Sequence, residues 1–214
     1  DKCMVMHIGH SIQSVYTFTE QGTVRTLDET NTERDLGVMV SRDLKPSLQC
    51  TKAAGKAMSV LRMISRNFKK VDIADFRILY KCFIRPQLEY CVQAWSPHLR
   101  KDIDCLETIQ RRATKIVTSI RKKPYLERLS ILGLTTLETR RLRGDMIETY
   151  KILTGREKVN YQHFFQKAPT DHDLRGNTMK LFKQRSRLDC RKYSFGQRIV
   201  TDWNSLPTDV VEST

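Results

Sequence analysis

Basic side chains at helical spacing are the residues of this sequence best suited to chemistry, and that chemistry is phosphate binding. Few acidic residues stand beside them, which favours contact with a polyanion over an ordinary solvated face. The whole chain points the same way, with a net charge of +14 and a pI near 9.7. The candidate contacts form two series, Lys52, Lys56, Arg62, Arg66, Lys69 and Lys70, then Arg111, Arg112, Lys115, Arg121, Lys122 and Lys123. Arg140, Arg141 and Arg143 form a further cluster.

Two pairs of carboxylates are spaced closely enough to be considered as ligands for Mg²⁺, the ion used in phosphoryl transfer. They are Asp72 with Asp75 and Asp102 with Asp104. Both pairs stand among helix-start signals, where acidic side chains stabilise the positive end of the helix dipole. His7 and His10 are three residues apart, with no third ligand in view. We therefore expect no metal site in this chain.

The cysteines and the apolar segments bear on the compartment. None of Cys3, Cys50, Cys82, Cys91, Cys105 and Cys190 forms a C-x-x-C pair, so a zinc ribbon or a redox motif has no support. The sequence has no N-x-S/T motif, no signal peptide and no apolar run near 18 residues. These features predict reduced thiols and a nuclear or cytoplasmic protein that is neither secreted nor bound to a membrane.

Hydrophobic periodicity predicts an α+β fold with a β-rich start. Alternating residues predict strands at 3–8, 15–19, 23–27 and 36–40, with a polar turn over 28–34. From residue 45 the period becomes helical. Helices are predicted over 45–68, from Asp72 to a kink or break at Pro86, from Ser96 to Ile120, up to Gly133, from the capping box Thr135-x-x-Glu138 to Gly155, and over 194–204.

Aromatic side chains at helical spacing could be taken for a platform that stacks nucleic-acid bases. Their period matches that of the neighbouring aliphatic residues, which is typical of a buried helix face. We interpret them as core. They are Phe76, Tyr80, Phe83, Tyr90, Trp95 and Trp203.

A set of short strings, each unspecific alone, keeps one order along nearly the whole chain. The strings are Asp35-Leu36-Gly37-Val38, Leu79-Tyr80-Lys81, Arg85-Pro86-x-Leu88-Glu89-Tyr90, Gln93-Ala94-Trp95-Ser96-Pro97, Gln110-Arg111-Arg112-Ala113-Thr114-Lys115, Arg140-Arg141-Leu142-Arg143-Gly144-Asp145 and Trp203-Asn204-x-Leu206-Pro207. Together they resemble the region that follows the polymerase active site in reverse transcriptases of non-LTR (LINE-type, jockey and chicken-repeat-like) retrotransposons.

The resemblance implies a division of the chain and a role for each part. Residues 1–44 correspond to the end of a polymerase palm with its primer-grip hairpin, 45–155 to a helical thumb, and 156–214 to a basic C-terminal extension. It implies that Lys2 is the lysine of motif D and that Leu36, Gly37 and Val38 form the primer grip. A glycine in a strand lets another backbone approach closely, which fits that role. The two basic series would then follow the backbone of an RNA–DNA template–primer duplex.

The chain departs from the family in one decisive respect, the absence of the F-x-D-D string that carries the catalytic aspartates. The complete polymerase would use Mg²⁺, but we expect this chain to hold no cofactor and to be inactive alone. Because it opens Asp1-Lys2-Cys3 without an initiator Met, we expect it to be a fragment that needs the missing palm and fingers. Two alternatives stay open, a stand-alone nucleic-acid-binding module and a non-functional remnant of a transposon copy.

Overall fold

The computed structural model describes residues 3–9, 14–20, 22–169 and 177–212, and its architecture is mixed α+β. The strands pair two by two. The six strands of the described residues are β1 (Met4–Val5), β2 (Thr17–Glu20), β3 (Thr23–Thr26), β4 (Asp28–Glu29), β5 (Thr32–Asp35) and β6 (Val38–Ser41). β1 runs parallel to β4, whereas β2 with β3 and β5 with β6 are antiparallel hairpins.

The N-terminal strands differ from the prediction in position and burial. The predicted buried strand at 3–8 is wrong, because only Met4–Val5 pairs and Met4 and Ile8 are exposed. The predicted polar turn over 28–34 is also wrong, since it contributes β4 and most of β5. Strand formation here depends on backbone pairing with a neighbour, and that overrides the low β-propensity of acidic residues.

Helix α1 (Ser47–Asn67) forms the long axis of the helical part, as the periodicity predicts. Its 21 residues extend for ~31 Å at 1.5 Å per residue. Pro46 precedes it, and one face is buried against α5 (Arg100–Ala113) and α3 (Arg85–Glu89). That face carries Cys50, Ala53, Ala57, Leu61 and Ile64.

The segment around Pro86 bulges rather than breaks. Asp72 caps α2 (Ile73–Leu79) by accepting a hydrogen bond from the Asp75 backbone at 2.8 Å. A π-helical turn (Tyr80–Ile84) leads directly into α3, which has Pro86 in its first turn. A proline removes one backbone donor and crowds the carbonyl four residues earlier, and π-turns are a known accommodation of such strain in a helix.

Helix α5 begins later and ends earlier than predicted. It starts at Arg100 rather than beside Ser96, and it stops at Ala113 rather than at Ile120. The predicted continuation contains Thr114 and the β-branched run 116–118, which disfavours a helix. Arg128 fixes the ending, because its guanidinium donates to Thr114 Oγ1 at 3.0 Å and to the Lys123 carbonyl at 2.6 Å.

The remaining helices enclose two hydrophobic cores. These helices are α4 (Val92–Trp95), α6 (Tyr125–Leu132), α7 (Leu137–Leu153), α8 (Asp189–Lys192), α9 (Phe195–Arg198), α10 (Val200–Asn204) and α11 (Thr208–Val211), with short 3₁₀ turns at Thr118–Ile120 and Tyr161–His163. The larger core contains residues of all the helices from α1 through α6, the start of α7 and Val38 of β6. The smaller core joins the C-terminal half of α7 to the segments after residue 160 and includes Trp203.

Candidate nucleic-acid interface

The solvent face of α1 is a basic stripe opposite the buried face. Lys52, Lys56, Arg62 and Arg66 fall within one side of the helix at its period of 3.6 residues, and the helix contains no Asp or Glu. Lys69 and Lys70 continue the series just beyond its end. All six side chains are exposed except that of Lys52, which is half-buried. A stripe without carboxylates leaves these cations available to phosphates.

The predicted primer-grip residues lie at the tip of the β5–β6 hairpin. The prediction of a strand over 36–40 is wrong at its start, because Leu36 and Gly37 form the two-residue turn and only Val38 begins β6. Both turn residues have positive φ, 44° and 90°, as the tight hairpin turn that matches strand twist requires. Leu36 is 84% exposed, whereas Val38 is buried in the larger core.

Tyr90 fixes this tip against the helical part. Its hydroxyl donates a hydrogen bond to the Leu36 carbonyl at 2.9 Å. A Cβ at Gly37 would lie only 3.3 Å from Cε1 of the Tyr90 ring. The close approach that the glycine permits is therefore to an aromatic side chain of the same protein.

A small polar pocket of about 150 Å³ lies where the hairpin tip meets α1. It brings together Gly37 from the predicted primer grip and Lys52 and Lys56 from the first basic series, which are 15 and 19 residues away in sequence. No carboxylate lines it in the described part of the chain. Its other lining residues are Arg34, Gln49, Ala53, Gln87 and Tyr90.

Lys52 has an unusual environment in this pocket. Its ammonium lies 2.9 Å from the thioether sulfur of Met39, a weak acceptor that satisfies little of its donor capacity. Met39 pairs with Arg34 across the hairpin, and its backbone N–H donates to Gln49 Oε1 at 2.9 Å. The pocket thus holds three cations and two amides, a set that matches the oxygens of a phosphate.

The second basic series is less uniform than the first. Arg111 stacks on the ring of Tyr125 with 4.3 Å between its guanidinium carbon and the ring centroid, so part of its role is structural. Lys123 pairs with Glu127. The others, Arg112, Lys115, Arg121 and Lys122, are exposed and, within the described residues, form no salt bridge. We therefore place the second candidate surface on these four.

The third cluster is not available to a ligand. Arg140 makes a two-pronged contact with Glu89, with Nη2 3.0 Å from Oε2. Arg141 is buried, and burial lowers the pKa of its guanidinium from the ordinary value. Of this cluster, only Arg143 is exposed. Arg140 and Arg141 thus serve the packing of α7.

A buried polar network that the sequence did not reveal fixes α5 between its neighbours. The side-chain amide nitrogen of Gln110 donates to the Tyr125 hydroxyl at 2.9 Å and to the Thr135 carbonyl at 3.0 Å, while Tyr80 donates to the amide oxygen. Glu107 accepts from Tyr125 and from the Leu137 backbone. Burial and the Glu107 carboxylate raise the pKa of Tyr125, so the hydroxyl keeps its proton.

The carboxylate pairs do not fit Mg²⁺. Asp72 caps α2, Asp102 is buried and accepts from Ser47 Oγ at 2.6 Å, and Asp104 pairs with Arg100. In the described ranges no three His, Cys, Asp or Glu side chains are grouped so as to hold a metal ion. Lys2 and His10, two further candidates, lie outside the described residues.

Five residues that line the pocket are not among the binding residues predicted from the sequence, namely Arg34, Gln49, Ala53, Gln87 and Tyr90. Arg34 precedes the Asp35-Leu36-Gly37-Val38 string, and Gln87 and Tyr90 belong to the Arg85–Tyr90 string. The prediction that Tyr90 and Phe83 belong to the core is wrong, because both are exposed, whereas Phe76, Tyr80, Trp95 and Trp203 are buried as predicted. The available signal was the place of Tyr90 in an ordered string, because Arg34 lies outside the strings and Gln87 holds an unspecified position in one. Periodicity alone does not separate a buried ring from one at a helix edge.

The comparisons with known proteins identify no relative. No protein-family model, no curated protein and no solved structure matches the chain. No helix in the described ranges is both long and apolar enough to cross a bilayer. The candidate interface therefore has to be judged on its own geometry.

Proposed function

We propose that this chain is the end of the palm, the thumb and the C-terminal extension of a non-LTR retrotransposon reverse transcriptase, and that it grips the primer and clamps an RNA–DNA duplex. The observation that carries the proposal is the pocket shared by Gly37, Lys52 and Lys56. The resemblance assigns these residues to two different parts of the polymerase, primer grip and thumb. Their meeting around one phosphate-sized space supports both assignments together.

The basic stripe of α1 supports binding along a nucleic-acid backbone rather than to a base sequence. Lysine and arginine contacts to phosphates release counterions and read no sequence. The stripe runs for most of the ~31 Å of the helix, which is long enough to follow several phosphates. A–form-like hybrid duplexes are bound mainly through such backbone contacts.

The exposed apolar residues of the N-terminal strands support a polypeptide partner. Val15, Tyr16, Phe18 and Val24 are exposed in and beside β2 and β3, and within the described ranges these strands pair only with each other. Unpaired strand edges and apolar faces of this kind are covered in stable proteins. The missing palm and fingers fit this requirement. Nucleotide addition is not assigned to this chain, because its described carboxylates do not fit Mg²⁺.

The test is binding of the purified chain to a labelled RNA–DNA hybrid titrated from low to physiological salt. The proposal predicts steeply salt-dependent binding, equal for unrelated sequences, and stronger for the hybrid than for either single strand. Absence of binding by a folded chain, or a preference for one duplex sequence, would contradict it. Binding of single strands without binding of the hybrid would favour a stand-alone nucleic-acid-binding module instead.

A further inference from the structure

A second and larger cleft, of about 570 Å³, lies on the other side of the hairpin tip from the polar pocket. It is enclosed by the β5–β6 hairpin, α4 and the segment of α8 and α9. Its volume falls within the range of about 300–1,000 Å³ typical of small-molecule sites. Its lining includes six aromatic rings, those of Trp95, His98, His163, Phe164, Tyr193 and Phe195.

Backbone strain is concentrated around this cleft. In the described residues, three that are not glycine have positive φ, Leu36 at 44°, Leu44 at 54° and Cys91 at 53°, and all three line the cleft. The hairpin turn accounts for Leu36, whereas the positive φ values of Leu44 and Cys91 persist only where the surrounding structure enforces them. Backbone strain of this kind gathers at ligand-binding sites, which draws attention to this cleft.

The walls of the cleft are held rigidly. Arg198 in α9 contacts both oxygens of Asp145 in α7 and donates to the Gln93 carbonyl of α4 at 3.0 Å. A Cβ at Gly196 would collide with the Phe164 carbonyl oxygen, so the backbones of the two segments touch there. A preformed space loses less entropy on binding than a flexible one.

The lining indicates the chemistry of the ligand. His98 and Tyr193 already stack with ring centroids 4.0 Å apart and planes 3° from parallel, and both rings are only half-buried. Asp35 and Asp189 balance Lys45 and Arg191, and Arg198 is already paired with Asp145, so the cleft does not favour a phosphate as the pocket does. Flat, uncharged heterocycles suit such a site, because nucleobases stack on aromatic side chains with little sequence preference.

The hairpin tip connects the two spaces. Arg34 and Gly37 line the polar pocket, whereas Asp35 and Leu36 line the aromatic cleft. A strand whose phosphate occupied the pocket would have its base beside the tip. We propose that the cleft binds an unpaired nucleobase of a single-stranded stretch that continues from the duplex, an inference that rests on the proposed function for its biological ligand.

The direct test uses adenosine, which carries no phosphate and therefore does not depend on the basic residues. The ring-proton NMR signals of His98 and His163, which both line the cleft, should shift on titration at millimolar adenosine, while His7, which does not line it, stays fixed. Assignment comes from His98→Asn and His163→Asn. Absence of shifts at His98 and His163, or equal shifts at His7, would overturn the proposal.

A variant pair separates binding from folding. Leu36→Asn with Leu44→Asn removes two apolar side chains from the rim, yet asparagine tolerates positive φ better than leucine, so stability should be equal or higher. The dissociation constant for adenosine should rise at least fivefold. The control is Leu126→Asn in α6, 70% exposed and outside the cleft, which should leave it unchanged. Equal affinity of the double variant and the wild type would refute the site.

The two proposals fail separately. Loss of salt-dependent hybrid binding with adenosine shifts intact would remove the clamp and keep a base-binding cleft. Retained hybrid binding without any shift would remove the cleft alone. With both intact, a hybrid carrying a single-stranded overhang should bind the wild type more tightly than a blunt hybrid does, and the double variant should lose that preference.

Discussion

The guanidinium of Arg198 lies against the carboxylate of Asp145, with Nε 2.8 Å from Oδ2 and Nη2 3.0 Å from Oδ1. These residues are 53 positions apart, in α9 and α7. Arg198 also donates to the carbonyls of Tyr193 and Gln93, so one side chain joins the C-terminal segment to two helices of the preceding part. The string Arg143-Gly144-Asp145 thus contributes a buried structural carboxylate.

Arg198→Ala should therefore destabilise the protein strongly. Removing one partner leaves a largely buried carboxylate without its counter-charge, which costs about 3–5 kcal/mol. Chemical denaturation followed by circular dichroism measures the change. Arg100→Ala is the matched control, because its pair with Asp104 is exposed and should contribute at most about 1 kcal/mol. A similar loss in the two variants would show that the buried pair is not a major connection.

Glycine-to-alanine substitutions at Gly37 and Gly55 should have opposite signs. Alanine at Gly37 would need a positive φ of 90° and would press on the Tyr90 ring, so the free energy of unfolding should fall by about 1–2 kcal/mol. Gly55 lies inside α1 with open space around it, and alanine there should raise the free energy by about 0.5–1 kcal/mol. Thermal unfolding of both variants measures the direction of each change in stability. Tolerance of alanine at Gly37 would contradict the turn geometry.

The double reversal Lys56→Glu and Arg66→Glu should weaken hybrid binding about equally for all sequences. Each lost phosphate contact also lowers the slope of log affinity against log salt by about 1. Fluorescence anisotropy at several salt concentrations gives both quantities. Lys158→Glu with Arg187→Glu is the control, since it makes the same change in net charge at two exposed positions outside the candidate surfaces. An equal loss of hybrid affinity in the two double variants would show that net charge, and not the position of the stripe, governs binding.

Cys50 should make the protein less stable at alkaline pH. Burial, with a smaller contribution from Asp102, raises the pKa of this thiol to about 12 from an ordinary value of 9.0. Between these values the unfolded chain releases the proton and the folded chain retains it, so the free energy of unfolding falls by up to about 1.4 kcal/mol per pH unit. Below pH 9 this contribution is constant. Cys50→Ala should flatten the slope between pH 9 and 11, and an unchanged slope would contradict the assignment.

Primer extension should be absent when the chain is supplied with template, primer, deoxynucleotides and Mg²⁺. The sequence lacks the F-x-D-D string, and the described Asp pairs are occupied with capping and ion pairing. A gel assay with a complete reverse transcriptase as positive control tests this. Template-dependent extension by the pure chain would overturn its interpretation as a catalytically incomplete part.

Local signals in the sequence predicted the elements whose stability is local. The span of α1 followed from apolar residues at helical spacing, the start of α2 from Asp72 and the end of α6 from Gly133. Elements that depend on distant partners were placed less well. Helix α5 ends at Ala113 because Arg128 contacts the following turn, and β4 forms because β1, 24 residues earlier, pairs with it.

The charge of this protein, the α+β order of its elements and the basic stripe of α1 follow from the amino-acid sequence, because composition and periodicity are properties of neighbouring residues. Which of those residues share a space depends on the tertiary contacts. Gly37 meets Lys52 and Lys56 because Tyr90 holds the hairpin against the helices, and the strained residues Leu36, Leu44 and Cys91 surround one cleft because α9 is held against α7 by Arg198. Such contacts join residues far apart in the chain, and no local pattern encodes their distance.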